Sequence, residues 1–165
     1  MADTSYLCRA IYKEHTGDLN GAVDFAGSYK LMLAAKSIPA PAQAPDGVES
    51  TTFEDDTQTY EMGIKKASTK ELIGNLAKSD LQSLNKLAGK KLDIMQLYGT
   101  DGIGGTAKYA YVGTVVATPN DVSGVDSILE MTATVVPSTA SIECTDDYTI
   151  VDNSDGTFTV SKAEM

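Results

Sequence analysis

Ser28-Tyr-Lys-Leu-Met-Leu-Ala-Ala-Lys-Ser-Ile38 is followed by Pro39-Ala-Pro-Ala-Gln-Ala-Pro-Asp-Gly47. Then comes Val48-Glu-Ser-Thr-Thr-Phe-Glu-Asp-Asp-Thr-Gln-Thr-Tyr-Glu-Met-Gly-Ile64. The outer segments read as two long β-strands and the middle as an arm between them. Pro39, Pro41 and Pro45 have no amide donor and cannot sit inside a central strand, so the arm must leave the sheet. An arm of this length in a small domain is functional or orders only on binding.

Outward from the arm, the same periodicity recurs. Thr57 to Lys65 is the cleanest period-two segment. Gln58, Tyr60, Met62 and Ile64 face one way, and Thr57, Thr59, Glu61 and Lys65 the other. This alternation predicts one core face and one solvated face. Ser5 to Tyr12 alternates as a strand, and Glu14 to Gly27 is a loop. Ala67 to Leu76, Leu92 to Tyr98, Lys108 to Thr118 and Ser127 to Val136 follow as strands. Tyr148 to Asp152 and Thr157 to Val160 form a terminal hairpin around Asn153-Ser-Asp-Gly156.

One helix is predicted, over about 79–88. Leu81, Leu84, Leu87 and Ala88 share a face, Ser79 and Gln82 match a capping box, and Gly89 is a stop. Its apolar stripe is narrow, as expected for a helix lying on a sheet. The fold class is mainly β: an antiparallel β-sandwich or partial barrel of two packed sheets. It carries one flanking helix and a long arm over about 39–56.

The chain has 165 residues, enough for one domain with a real core. No apolar run approaches the ~20 residues of a membrane helix. Met1-Ala-Asp-Thr-Ser-Tyr6 lacks the basic start and apolar centre of a signal peptide, so synthesis in the cytosol without cleaved export is expected. The net charge is -10, and its placement is uneven. Asp46, Glu49, Glu54, Asp55, Asp56 and Glu61 fall in a stretch with no Lys or Arg. Tyr109 to Ser161 also lacks both, against Asp121, Asp126, Glu130, Glu143, Asp146, Asp147, Asp152 and Asp155. This is the opposite of a nucleic-acid-binding footprint. It serves solubility, or a surface that repels a polyanion.

No catalytic or metal constellation emerges. Cys8 and Cys144 read as buried free thiols, and His15, in Glu14-His-Thr-Gly17, reads as a solvated loop residue. One His and two scattered Cys cannot make an all-His/Cys zinc tetrad. Gly102-Ile-Gly-Gly105 lacks the Gly-Lys-Ser/Thr ending of a phosphate loop and precedes a strand. Asp152-Asn-Ser-Asp-Gly156 misses the EF-hand spacing and reads as a turn. Glu54, Asp55 and Asp56 are adjacent on an extended chain and point to alternate faces, so they do not converge on one atom. No enzyme and no cofactor are expected.

The segment Val48 to Ile64, with Tyr29-Lys-Leu-Met-Leu-Ala-Ala-Lys-Ser-Ile-Pro39 and Glu71-Leu-Ile-Gly-Asn-Leu76, resembles the tail tube proteins (major tail proteins) of long-tailed, non-contractile bacteriophages. The likeness is one of whole-segment pattern and covers most of the chain. It implies two β-sheets with a flanking helix, and six copies forming rings that stack into a hollow, DNA-conducting tube. It also implies a tail location in the virion, assembly in the host cytoplasm, and tape-measure and tail-tip or terminator proteins as partners. The bridging role between subunits and rings then falls on Pro39, Pro41, Pro45, Asp46, Glu49, Phe53, Glu54, Asp55 and Asp56. Acidic bores occur in that family, and Thr57, Thr59 and Glu61 are the lumen candidates, with DNA passing without specific binding. A tube protein of a contractile injection or secretion system is the alternative. An immunoglobulin-like surface binding module, to which the Asp-Gly-Thr-Phe-Thr-Val hairpin would suit, ranks behind both.

Overall fold

Leu92-Asp-Ile-Met-Gln-Leu-Tyr98 lies at the centre of the molecule, and six of its seven residues are buried. The computed structural model describes residues 7–17, 23–41, 47–54, 56–62 and 68–163. Its elements are β1 (Arg9–Glu14), β2 (Gly27–Leu31), β3 (Ala35–Ser37), β4 (Gly47–Glu49), β5 (Tyr60–Met62) and β6 (Lys70–Asn75). Then come α1 (Lys78–Lys86), β7 (Leu92–Tyr98), β8 (Ala107–Pro119), β9 (Glu130–Pro137), β10 (Ile142–Glu143), β11 (Tyr148–Asp152) and β12 (Thr157–Lys162). Ten strands form one curled antiparallel half-barrel in the order β11-β12-β2-β1-β7-β8-β9-β6-β3, with β10 also paired to β8. Strands β4 and β5 make a second, small sheet of their own.

The curl creates two cores on opposite faces of the central strands. Ala10, Tyr12, Leu92, Ile94, Tyr111 and Val115 face one core, which β6, β9 and Leu84 of α1 complete. Ile11, Met95, Leu97, Ala110 and Val112 face the other, covered by Tyr29, Tyr148, Ile150, Phe158 and Val160. A strand buried on both faces should read as an apolar run. The two polar residues of β7 are therefore the ones that need partners. Gln96 accepts a hydrogen bond from Tyr111 Oη at 2.9 Å. It donates to Tyr98 Oη at 2.9 Å and to the Pro39 carbonyl at 2.8 Å. Asp93 lies 2.8 Å from Lys13 Nζ and 2.7 Å from His15 Nδ1.

Several expectations are corrected. The strand expected over Ser28 to Ile38 is two strands. Strand β2 pairs with β1 and β12, whereas β3 pairs with β6 at the far end of the sheet. Met32 and Leu33, in between, are buried in the first core, so the chain crosses over that core. The predicted capping box does not form. The residue before the helix is Ala77, extended at φ -128°, with no side-chain cap, which places Ser79 inside the first turn. Gly89 does mark the stop, at φ +81°, a conformation that favours glycine. The His15 side chain is only 5% exposed, not solvated. Both cysteines are free, Cys144 buried and Cys8 half-buried. Burial pushes the Cys144 thiol up to about 11.

Burial also raises the pKa of five phenols, Tyr12, Tyr29, Tyr98, Tyr111 and Tyr148. Unfolded tyrosines ionise near pH ~10. Their contribution to stability is therefore complete below that pH and is lost as the pH rises above it. Lys70, whose pKa burial lowers, works the other way over the same range, but it is one group against five. Alkaline titration should show the phenolate absorbance of these five buried tyrosines appearing together with loss of circular dichroism. Ionisation of all eight tyrosines of the chain in a still-folded protein would contradict this.

Candidate functional site

The arm begins as an anchored segment. The Pro39 carbonyl accepts from Gln96 Nε2 at 2.8 Å, and the Pro41 carbonyl accepts from Ser141 Oγ. Beside them lies an open apolar trough of about 420 Å³ lined by Ile38, Ala40, Pro41, Tyr98, Ala107 and Tyr109. Beyond it the chain forms the β4–β5 hairpin, and the single return strand expected over Val48 to Ile64 does not form. The register is Gly47↔Met62, Val48↔Glu61 and Glu49↔Tyr60. Ser50 extends it, donating its amide to the Thr59 carbonyl at 2.8 Å.

Residues opposite each other in an antiparallel pair share a face. Tyr60, Met62 and Glu49 therefore lie on one side of the hairpin, and Val48, Glu61, Ser50 and Thr59 on the other. The expected parity is present, but its apolar side is not core. Met62 is 78% exposed, Tyr60 is 60% exposed, and Phe53 at the turn is fully exposed. Period-two spacing specifies the two faces of the hairpin, but not whether the apolar one is buried.

Nine of the twelve predicted site residues fall among the described residues. Pro39 and Pro41 are half-buried at the arm base, and Glu49 is exposed in β4. Phe53, Glu54 and Asp56 are exposed in the turn, where Asp56 accepts from Thr57 Oγ1 at 3.3 Å. Thr59 and Glu61 are exposed on the Val48 side, and Thr57 precedes the ladder. Pro45, Asp46 and Asp55 lie outside the described residues.

A second exposed apolar surface escaped the sequence reading. The strand expected from Ser127 begins only at Glu130, and residues 121–129 form an exposed loop. It presents Val122, Val125, Ile128 and Leu129, with Val125 98% exposed. The available signal was four large aliphatics inside an Asp/Ser/Gly-rich turn. The short strand β10 was also missed, because two residues carry no period.

The motifs set aside in the sequence have local explanations. Asp101 Oδ1 accepts the amides of Ile103 and Gly105, both at 3.1 Å, and these bonds hold its carboxyl below the usual range. The amides that could cradle a phosphate are thus occupied by a carboxylate from the same loop. Asp152 and Asp155 accept the amides of Ser154 at 2.8 Å and Thr157 at 3.0 Å, as turn carboxylates do. His15 bonds Asp93 through Nδ1, and among the described residues no hydroxyl or thiol reaches its Nε2. Among the described residues no three His, Cys, Asp or Glu side chains cluster as metal ligands would, and no helix is long and apolar enough to cross a membrane.

The fold itself has a counterpart. The chain is similar in fold to a chain of the anti-feeding prophage baseplate. That assembly was solved by cryo-electron microscopy with six-fold symmetry imposed. The TM-score is 0.54, and the match covers 87% of this chain and 95% of the other at 11% identity. No family model and no curated protein matches the sequence. The likeness is therefore one of fold over most of the chain, and not of a set of residues.

Proposed function

We propose that this chain is a non-enzymatic structural subunit of a phage-tail-like assembly. In this reading copies join edge to edge into hexameric rings, and the rings stack into a hollow tail tube through which DNA passes without being bound. The observation that carries the proposal is a half-barrel left open. The large sheet ends in β11 and β3, neither of which has a further strand partner among the described residues. Unpaired edge strands are templates for pairing with another chain, and edge-to-edge joining of copies would cover them. The projecting hairpin and the fold likeness to a six-fold baseplate component support the same reading. The net charge of -10 suits a wall to which a polyanion does not adhere.

The baseplate likeness also favours a second reading within this class, a tube-type subunit of a contractile injection device. A tape-measure gene nearby would point to the phage tail, and a sheath gene to the contractile device. In either case the partners are other tail components, and the location is the assembled particle, built in the host cytoplasm.

The test is electron microscopy and sedimentation of concentrated pure protein. Rings or stacked rings are expected. Val151, 53% exposed on β11, offers a control, since lysine on an edge strand discourages pairing. Val151→Lys should remain folded and shift the population toward monomer. A wild-type protein that stays monomeric at all concentrations, alone and in an induced host, overturns the proposal.

A further inference from the structure

Between α1 and the strands β1 and β2 runs an open groove of about 390 Å³. Its floor carries Tyr12 and Leu87, and its walls carry Lys13, Glu14, Lys30 and Lys86. Two of these charges are already answered. Lys13 Nζ sits 2.8 Å from Asp93, and Glu14 faces Lys90 at 3.8 Å. Lys30 and Lys86 are exposed and have no carboxylate partner among the described residues. The groove is therefore cationic at its rim, with the Tyr12 ring and Leu87 at its base beside Ser83, which bonds the Tyr12 phenol.

The hairpin has the inverse character. No Lys or Arg occurs from Pro39 to Ile64. Glu49, Glu54, Asp56 and Glu61 are exposed, and none forms an ion pair among the described residues. Phe53 stands fully exposed next to Glu54. One surface thus offers carboxylates around an unburied ring, and another offers ammonium groups around the Tyr12 ring and Leu87.

We propose that this groove is the receptor for the acidic hairpin of a second copy, with Glu54 and Asp56 against Lys30 and Lys86 and Phe53 on the floor of Tyr12 and Leu87. The inference rests on the self-assembly reading and adds the surface that receives the arm. Complementary charge of this kind sets register and excludes wrong partners, and surface charge pairs weaken as salt rises. The contact is heterologous, since hairpin and groove are different surfaces of one chain, so it can propagate around a ring or between rings.

The test is a charge swap, read by sedimentation velocity with circular dichroism as the folding control. All four side chains are exposed, so the variants should fold. K30E/K86E and E54K/D56K should each associate about tenfold more weakly than wild type. Mixed one to one, the two variants should regain association, because each groove then meets a hairpin of opposite charge. Zero-length carbodiimide coupling of wild-type assemblies should yield a Lys30–Glu54 or Lys86–Asp56 crosslink between copies. If both variants associate like wild type while Val151→Lys does not, the groove is not the receptor and the edge-to-edge reading stands. If each variant is weakened but the mixture fails to recover, the two surfaces do not meet and the inference is wrong. A wild-type chain that never associates removes the assembly reading itself.

Discussion

A chain in which residues 47–62 are replaced by a short Gly-Ser linker is expected to keep its fold and lose the ability to build long assemblies. Strands β4 and β5 pair only with each other, and no hairpin residue belongs to either core. Removing them takes away no buried apolar surface, and shortening the loop lowers its closure entropy slightly. The change in folding stability should stay within about 1 kcal/mol. The effect on association should be far larger. Val48, Phe53, Tyr60 and Met62 are the large apolar side chains of the hairpin, all more than half exposed in the isolated chain. Apolar and aromatic anchors of this kind contribute ~2 kcal/mol or more each when an interface covers them, so losing the set should weaken association by a hundredfold or more, on the order of a few kcal/mol. Thermal unfolding and sedimentation velocity separate the two effects. Normal assembly by the deletion variant would leave the arm without a bridging role, and an unfolded variant would make the hairpin part of the fold.

Much of this architecture is legible in local pattern, and the failures have physical causes. The strands β7 and β8, the terminal hairpin and the helix follow from period and turn chemistry alone. The break between β2 and β3 does not, because Leu31-Met-Leu-Ala-Ala35 is equally apolar whether it runs straight or crosses a core. A subtler signal was present at Gly74, inside β6. A Cβ there would lie 2.3 Å from the Ala34 carbonyl oxygen and 2.7 Å from Leu33 Cδ1. Glycine within a strand marks close backbone approach, here of the crossing segment. The arm was legible through its prolines. The exposure of its apolar face was not, since period-two spacing separates an apolar from a polar face and does not say whether the apolar one is buried. His15 was misread because its burial depends on Asp93, 78 positions away, and on the backbone bond from its amide to the Lys91 carbonyl at 2.9 Å.

Asp93→Ala should be the most damaging single substitution outside the apolar cores. The carboxylate is 1% exposed, and it lies in a strand where both neighbours, Leu92 and Ile94, are core residues. Lys13 Nζ stands 2.8 Å from one oxygen and His15 Nδ1 2.7 Å from the other, with Lys13 15% and His15 5% exposed. Asp93 therefore joins β7 to the end of β1 and to the residue that follows it. Building such a buried pair contributes little net stability, because desolvating the charges costs about as much as their attraction returns. Removing one partner is different. The Lys13 ammonium would remain near Tyr29, 5.7 Å from the ring centre, with no counter-charge, and His15 would lose its Nδ1 partner. Breaking a buried pair from one side costs about 3–5 kcal/mol, enough to unfold a marginal domain. Denaturant titration should show that loss for Asp93→Ala. The double variant Asp93→Ala/Lys13→Met should recover part of it, because the stranded cation is gone. Equal stability of wild type and Asp93→Ala would mean that water reaches this site and that the cluster does not tie β1 to β7.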